Sequence, residues 1–269
     1  MSSSKIEWTE HTWNPVTGCD KVSPGCANCY AETLAKRLTK MGAPGYDNGF
    51  QLTLHPDRLD IPILRKKPTI YFVNSMSDLF HEKVPFRFID KVLQTICLTP
   101  QHIYQILTKR PERMKQYFIK RKVPRNAWLG ISIENEEYAI QRLPHLEEIH
   151  AHIRFLSIEP LLSDVGELNL SGIDWVIVGG ESGPKARPMK LQWVQSIQRQ
   201  CEVSGVPFFF KQWGSYGKDG IRRAKKHNGR ELDGRTWDDL PQIGKEHICQ
   251  KSTTNGGMTV QYRKLANIV

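Results

Sequence analysis

Six short runs rich in β-branched and aromatic residues, most of them followed by a helix-periodic stretch, predict a parallel α/β fold for this chain. The runs are apolar enough to be covered on both faces. Polar residues recur where each run ends, which suits either a doubly wound sheet or a barrel whose site lies at the carboxyl ends of its strands. A length of 269 residues is compatible with one large domain, and 39% hydrophobic with 25% charged residues excludes a disordered chain.

The elements follow in order. The opening MSSSKIEWTEHTW has no apolar core and carries acids early, so it reads as neither a secretory signal nor a transit peptide, and the cytoplasm is the expected compartment. The longest apolar runs, such as Trp175 to Val178 and Pro207 to Phe210, fall far short of the ~20 residues of a membrane span, so no membrane is expected. Gly18, Pro24 and Gly25 make GCDKVSPGCANCY a loop that folds back on itself. Tyr30 to Met41 is rich in helix formers and stops at a Gly/Pro stretch. Strand and helix then alternate: Thr69 to Asn74 with Phe86 to Leu98, His102 to Thr108 with Glu112 to Lys120, and Ala127 to Ile133 with Glu136 to Leu146. His152 to Ile158 leads into a loop, Asp174 to Gly180 into a helix over Leu191 to Val203, and Pro207 to Trp213 closes the series. From about Ser215 the texture turns Gly-rich and basic without periodicity, as a tail or lid would, and Met258 to Leu265 alternates as an edge strand does.

The cysteines point to chemistry. Of six, Cys19, Cys26 and Cys29 crowd into eleven residues, while Cys97, Cys201 and Cys249 are scattered. Cys97 and Cys201 lie in helical stretches and read as core. Three clustered thiols in a reducing compartment point to a metal. Structural zinc would need a fourth ligand, for which His11 is the candidate. An iron–sulfur cluster held by three thiolates leaves one iron open for a substrate or cofactor.

Polar residues at strand ends supply the remaining candidates: Asn74, Ser75 and Asp78; Thr108, Lys109 and Arg110; Ser132 and Glu134; Glu159; Gly179 to Ser182; Lys211 and Gln212. Ser75, Ser132 and Ser182 would serve equally as helix N-caps. Lys109, Glu159 and Lys211 resist such a reading. GGESG exposes backbone N–H groups at a helix entrance but lacks the Gly-Lys-Ser/Thr of a P-loop.

With 38 Lys+Arg against 28 Asp+Glu, the formal charge is +10, which suits a nucleotide or nucleic-acid partner. The basic run Arg222, Arg223, Lys225 and Lys226 is either a solvated face or a phosphate contact. Trp13, Trp213 and Trp237 would either stack on bases or pack in the core. The rival functions are a zinc-stabilised nucleic-acid-binding protein without catalysis, and a hydrolase or transferase using Glu159 or Glu181 as base.

GCDKVSPGCANCYAE resembles the cluster-binding loop of the radical S-adenosylmethionine (SAM) superfamily, especially its spore photoproduct lyase and DNA-repair-photolyase-like branch, in which Cys-aromatic-Ala follows the last ligand, here Cys29, Tyr30 and Ala31. TWNPVTGC, SPGCANCYAE, NSMSDLF, ILTKRPERM, WLGISIEN, RFLSIEPLL, WVIVGGESG, FFFKQWG and LDGRTWDDLP together look like a phage-associated, three-Cys family of unknown function, over nearly the whole chain. The resemblance implies a partial parallel (β/α)6-type barrel over residues 1–214, with residues 215–269 as a C-terminal extension or lid packed on the same domain. It implies a 4Fe-4S cluster on Cys19, Cys26 and Cys29 with SAM on the open iron. Ser75 to Asp78 would face the SAM amino group, Lys109 the SAM carboxylate, and Ser132 the ribose. The reduced cluster would pass one electron to SAM, and the resulting radical would abstract hydrogen from a substrate contacted by Glu159 and Lys211. A flavodoxin- or ferredoxin-like reductant would supply the electron. Six residues separate Cys19 from Cys26 where the superfamily's usual spacing has three, so Cys19 must reach the cluster through a longer loop. The Gly179 to Glu181 triplet sits on a late strand and is not the superfamily's early Gly-Gly-Glu motif.

Overall fold

The computed structural model describes residue 4 and residues 6–242. Cys249 and the expected strand over Met258 to Leu265 lie outside the described residues. Seven strands form one sheet: β1 (His11–Trp13), β2 (Ile70–Val73), β3 (Ile103–Thr108), β4 (Ala127–Ser132), β5 (Ile153–Ile158), β6 (Trp175–Gly179) and β7 (Phe208–Gln212), adjacent in chain order. Every pairing is parallel. The crossovers carry helices α1 (Tyr30–Lys40), α2 (Phe86–Leu98), α3 (Pro111–Phe118), α4 (Glu136–Glu147) and α5 (Leu191–Ser204), and β5 returns to β6 by a loop.

The strand order never reverses, and right-handed crossovers place α2 to α5 on one face, while α1 packs apart from them with Ala31 and Ala35 against Met76. A doubly wound sheet needs a reversal and is thereby excluded. The sheet curls into a half-barrel with its helices outside. Strand residues alternate between two cores as their period of two requires. Tyr71, Ile106, Leu129, Leu156, Val176 and Phe210 join the helices in the outer core. Their neighbours Phe72, Trp128, Phe155, Trp175, Ile177 and Phe209 form an aromatic layer on the concave face, which Trp8 joins.

Three features depart from the expectation. A seventh strand, β1, is added at the edge, its His11 to Trp13 in register with Tyr71 to Val73. Ser75, Ser132 and Ser182 cap no helix: Pro85, Asn135 and Lys190 hold the cap positions of α2, α4 and α5, and the Asn135 side chain accepts from the Tyr138 N–H. Cys97, expected in the core, is exposed, because the apolar face of α2 is turned through Val92, Leu93 and Ile96 instead, whereas Cys201 is buried.

The three tryptophans pack rather than present their faces for stacking. The Trp13 and Trp213 side chains are fully buried, and their indole N–H groups donate to the carbonyls of Arg58 and Glu231. Trp237 donates to the Leu232 carbonyl and lies edge-on to Phe208. Between Ser215 and residue 242 the chain packs along β7: Leu232 enters the outer core, and Phe209 bridges Asp238. Among the described residues no helix is long and apolar enough to cross a membrane.

Gly130 in β4 faces the Phe155 ring, and a Cβ there would sit 2.4 Å from its carbons. Gly130→Ala therefore overpacks the concave layer and costs about 1–3 kcal/mol. Urea unfolding checks this, and an unchanged midpoint would contradict the packing described.

Candidate active site at the mouth of the half-barrel

The alternation that builds the aromatic layer also builds the site. One step further along each strand, the concave positions become polar: Asn74 follows Phe72, Ser132 follows Gly130, Ser157 and Glu159 follow Phe155, Glu181 follows Gly179, and Lys211 follows Phe209. All six line a cavity of about 420 Å³ at the carboxyl ends of the strands. Phe72 and Leu107 line its base, and Cys19, Cys26, Cys29 and Tyr30 line its wall. Parallel α/β folds gather their chemistry at this end.

Three strand-end carboxylates, each on an arginine, grip the cysteine loop. Asp78, after β2, accepts from the Thr108 hydroxyl at 2.7 and 2.9 Å, from the Lys109 N–H at 3.0 Å and from Arg110 at 3.2 Å. Arg110 in turn donates to the Asp20 carbonyl at 3.2 Å and to Cys19 Sγ at 3.6 Å. Glu134, after β4, is fully buried and receives Arg142 at 2.9 Å, Lys109 at 2.7 Å and the Ser23 hydroxyl at 2.7 Å. Gly25 lies against it so closely that a Cβ would meet the Glu134 side chain at 2.6 Å. Glu181, after β6, receives Arg187 on both oxygens and the Asn28 amide at 3.2 Å, while Arg187 also donates to the Pro24 carbonyl at 2.9 Å.

These pairings set the charges. Burial pushes the Cys19 thiol up to about 11, the Asp78 charge adds to the rise, and Arg110 opposes it. Burial would raise Glu181, but the Arg187 hydrogen bonds outweigh it and hold the carboxyl below its ordinary value. The Glu181 carboxylate is engaged by a guanidinium and an amide.

The remaining sequence candidates fall as follows. Lys211 Nζ straddles both Glu159 oxygens at 2.7 and 2.8 Å, so these two form one net-neutral pair on the cavity wall. The Ser75 hydroxyl donates to Asn14, and its carbonyl accepts from the Tyr30 hydroxyl at 2.6 Å. Ser132 and Ser157 reach the cavity. Of the basic run, Arg223 pairs with Asp219 and Lys225 with Glu7, while Arg222 donates to backbone carbonyls. His11 is remote from the loop: it opens β1 at the opposite end of the sheet, its ring against Tyr71. His11 is therefore not placed to join the loop cysteines at one ion. Sequence reasoning missed Arg142 and Arg187 and the gripping role of Glu134. Glu134 continues the concave period from Gly130 and Ser132, a signal that was there to read.

Cys19, Cys26 and Cys29 are free, half-buried thiols facing one cavity. Among the described residues no three His, Cys, Asp or Glu side chains lie close enough to share one ion. By donor type, the set fits a cluster held by three thiolates with one open iron: three sulfurs of one loop lining one cavity.

The chain belongs to a family described as a protein of unknown function (DUF5131), whose match spans residues 3–241. No curated protein matches it. Among solved structures it is similar to spore photoproduct lyase complexed with dinucleoside spore photoproduct, at 12% identity and a TM-score of 0.46, over 74% of this chain and 62% of that one. A cysteine-to-serine mutant of spore photoproduct lyase is similar at 16% identity and a TM-score of 0.48, over 67% and 58%. A double mutant with bound AdoMet and dinucleoside spore photoproduct is similar at 13% identity and a TM-score of 0.47, over 74% and 62%. The chain thus spans about three fifths of the length of these structures.

Removing the Glu134 carboxylate leaves Lys109 and buried Arg142 without their counter-charge, so Glu134→Ala is expected to destabilise the protein by about 3–5 kcal/mol. Chemical denaturation measures this, and a loss below about 1 kcal/mol would show that the grip is not energetically coupled to the fold.

Proposed function

We propose that the chain is a radical SAM enzyme acting on a nucleotide or nucleic acid, with a 4Fe-4S cluster on Cys19, Cys26 and Cys29. One observation carries the reading: three free thiols on a single clamped loop line the cavity at the carboxyl end of a half-barrel. When bound, the cluster and SAM together supply one-electron reductive cleavage and a hydrogen-abstracting radical.

The chain's own residues bind, orient and exclude water. Lys109 is assigned to the SAM carboxylate, with support from its place on the cavity wall after β3. Ser132 is assigned to the ribose, with support from its place on the cavity wall. Ser75 and Asp78 are assigned to the SAM amino group, Asp78 chiefly by fixing the Thr108 to Arg110 corner. Glu159 and Lys211 are assigned to the substrate, with support from their place as a directly bonded carboxylate–ammonium pair on the cavity wall. The apolar base keeps water from the reacting atoms. The described residues after Ser215 are assigned to the side of the cavity, with support from the contact of Lys225 to Glu7, both of which line it. A flavodoxin- or ferredoxin-like protein in a reducing, cytoplasmic setting is the assigned electron source.

Protein purified without oxygen and reconstituted with iron and sulfide is expected to be brown, reducible and able to convert SAM to 5′-deoxyadenosine, with Cys26→Ala inactive. A colourless protein that retains zinc and leaves SAM intact would overturn the assignment.

A further inference from the structure

We infer that Arg110 is a positioning residue for the cluster: it aims the Cys19 sulfur across the long Cys19–Cys26 loop and, as a donor to that sulfur, raises the cluster's reduction potential. The inference rests on the function proposed above. Its basis is an asymmetry among the three thiols. Cys19 receives a hydrogen bond from a cation, Arg110 Nη1 at 3.6 Å, while Cys26 contacts the Ser23 hydroxyl at 3.7 Å.

The guanidinium has no freedom to serve another purpose. Its Nε donates to both Glu82 oxygens at 2.8 and 2.9 Å, Nη1 reaches Asp78 at 3.2 Å as well as the sulfur, and Nη2 holds the Asp20 carbonyl at 3.2 Å. Its side chain is 5% exposed. A planar fork fixed at Nε and Nη1 dictates where its last N–H groups point, and they point at Cys19 and the peptide after it. The loop carries six residues between Cys19 and Cys26, so chain connectivity alone does not fix the first sulfur. Arg110 substitutes for the missing covalent constraint.

The electrostatic consequence has a definite sign. A hydrogen-bonded cation beside a ligating sulfur stabilises the more negative, reduced form of a cluster, and removing it lowers the potential. Lysine at this position keeps the charge and loses the fork, so the directed bond to sulfur is what Arg110→Lys tests. Loss of Arg110 altogether leaves Asp78 with its Thr108 and backbone donors.

The test is redox titration of reconstituted wild-type protein and Arg110→Lys, with iron and sulfide content and a thermal melt on each. At the wild-type midpoint, the folded variant is expected to show a reduced-to-oxidised ratio about tenfold lower, equivalent to a shift of about 59 mV for one electron. Reduced iron loading at an unchanged melting temperature would support the same conclusion. If Arg110→Lys does not fold, the decision passes to the wild type grown with 15N-arginine: electron–nuclear double resonance on the reduced cluster should show coupling to a guanidinium nitrogen. Wild-type loading and potential in the folded variant, or the absence of that coupling, would overturn the role of Arg110. A wild type that takes up no cluster at all would instead overturn the function on which the inference rests.

Discussion

Three buried carboxylates, each neutralised by an arginine, determine where the cysteine loop lies. Asp78, Glu134 and Glu181 stand at the ends of β2, β4 and β6, and their partners Arg110, Arg142 and Arg187 prevent bare charge from being left in the interior. Through Asp20, Ser23, Pro24 and Asn28 these pairs reach the loop at four points. A buried ion pair is weak evidence of stability in itself, but it is costly to break, and that asymmetry suits a device for fixing position. The rest of the site hangs on it: with the loop pinned across the strand ends, the thiols, Lys109 and the Glu159–Lys211 pair share one cavity.

The same arrangement explains how a strongly basic chain presents a nearly compensated site. Lys109, Arg110, Lys211 and Lys225 line the cavity, and each is paired with a carboxylate. A phosphate chain entering it would have to displace one of those acids. The cavity wall, whose cations are matched by acids, therefore expresses little of the sequence's formal +10 charge.

The alternation of strand and helix was legible in the sequence because its periods are local. Phe86 to Leu98 is recovered to the residue, and the other four helices to within two residues at their ends. β1 was not legible: three residues, HTW, are too short to show a period, and only pairing with Tyr71 to Val73 makes them a strand. The strand-end residues of the site were also legible, since a period of two carries apolar concave positions into polar ones. The grip on the loop was not, because Ser23 meets Glu134 at a separation of 111 residues and Arg187 meets Pro24 at 163. The sequence left stacking and core packing both open for the tryptophans near loops, and Trp13 and Trp213 are buried in the core. Position relative to a loop says little about whether a large ring is covered.

The central claim is that the three thiols of this loop leave one coordination position open toward the cavity. Electron paramagnetic resonance of the reduced, reconstituted protein, recorded before and after SAM is added, tests it most directly. The account predicts a cluster signal whose g-values change when SAM occupies the open position. A signal that SAM does not alter, or a protein that binds zinc and gives no signal, would contradict it.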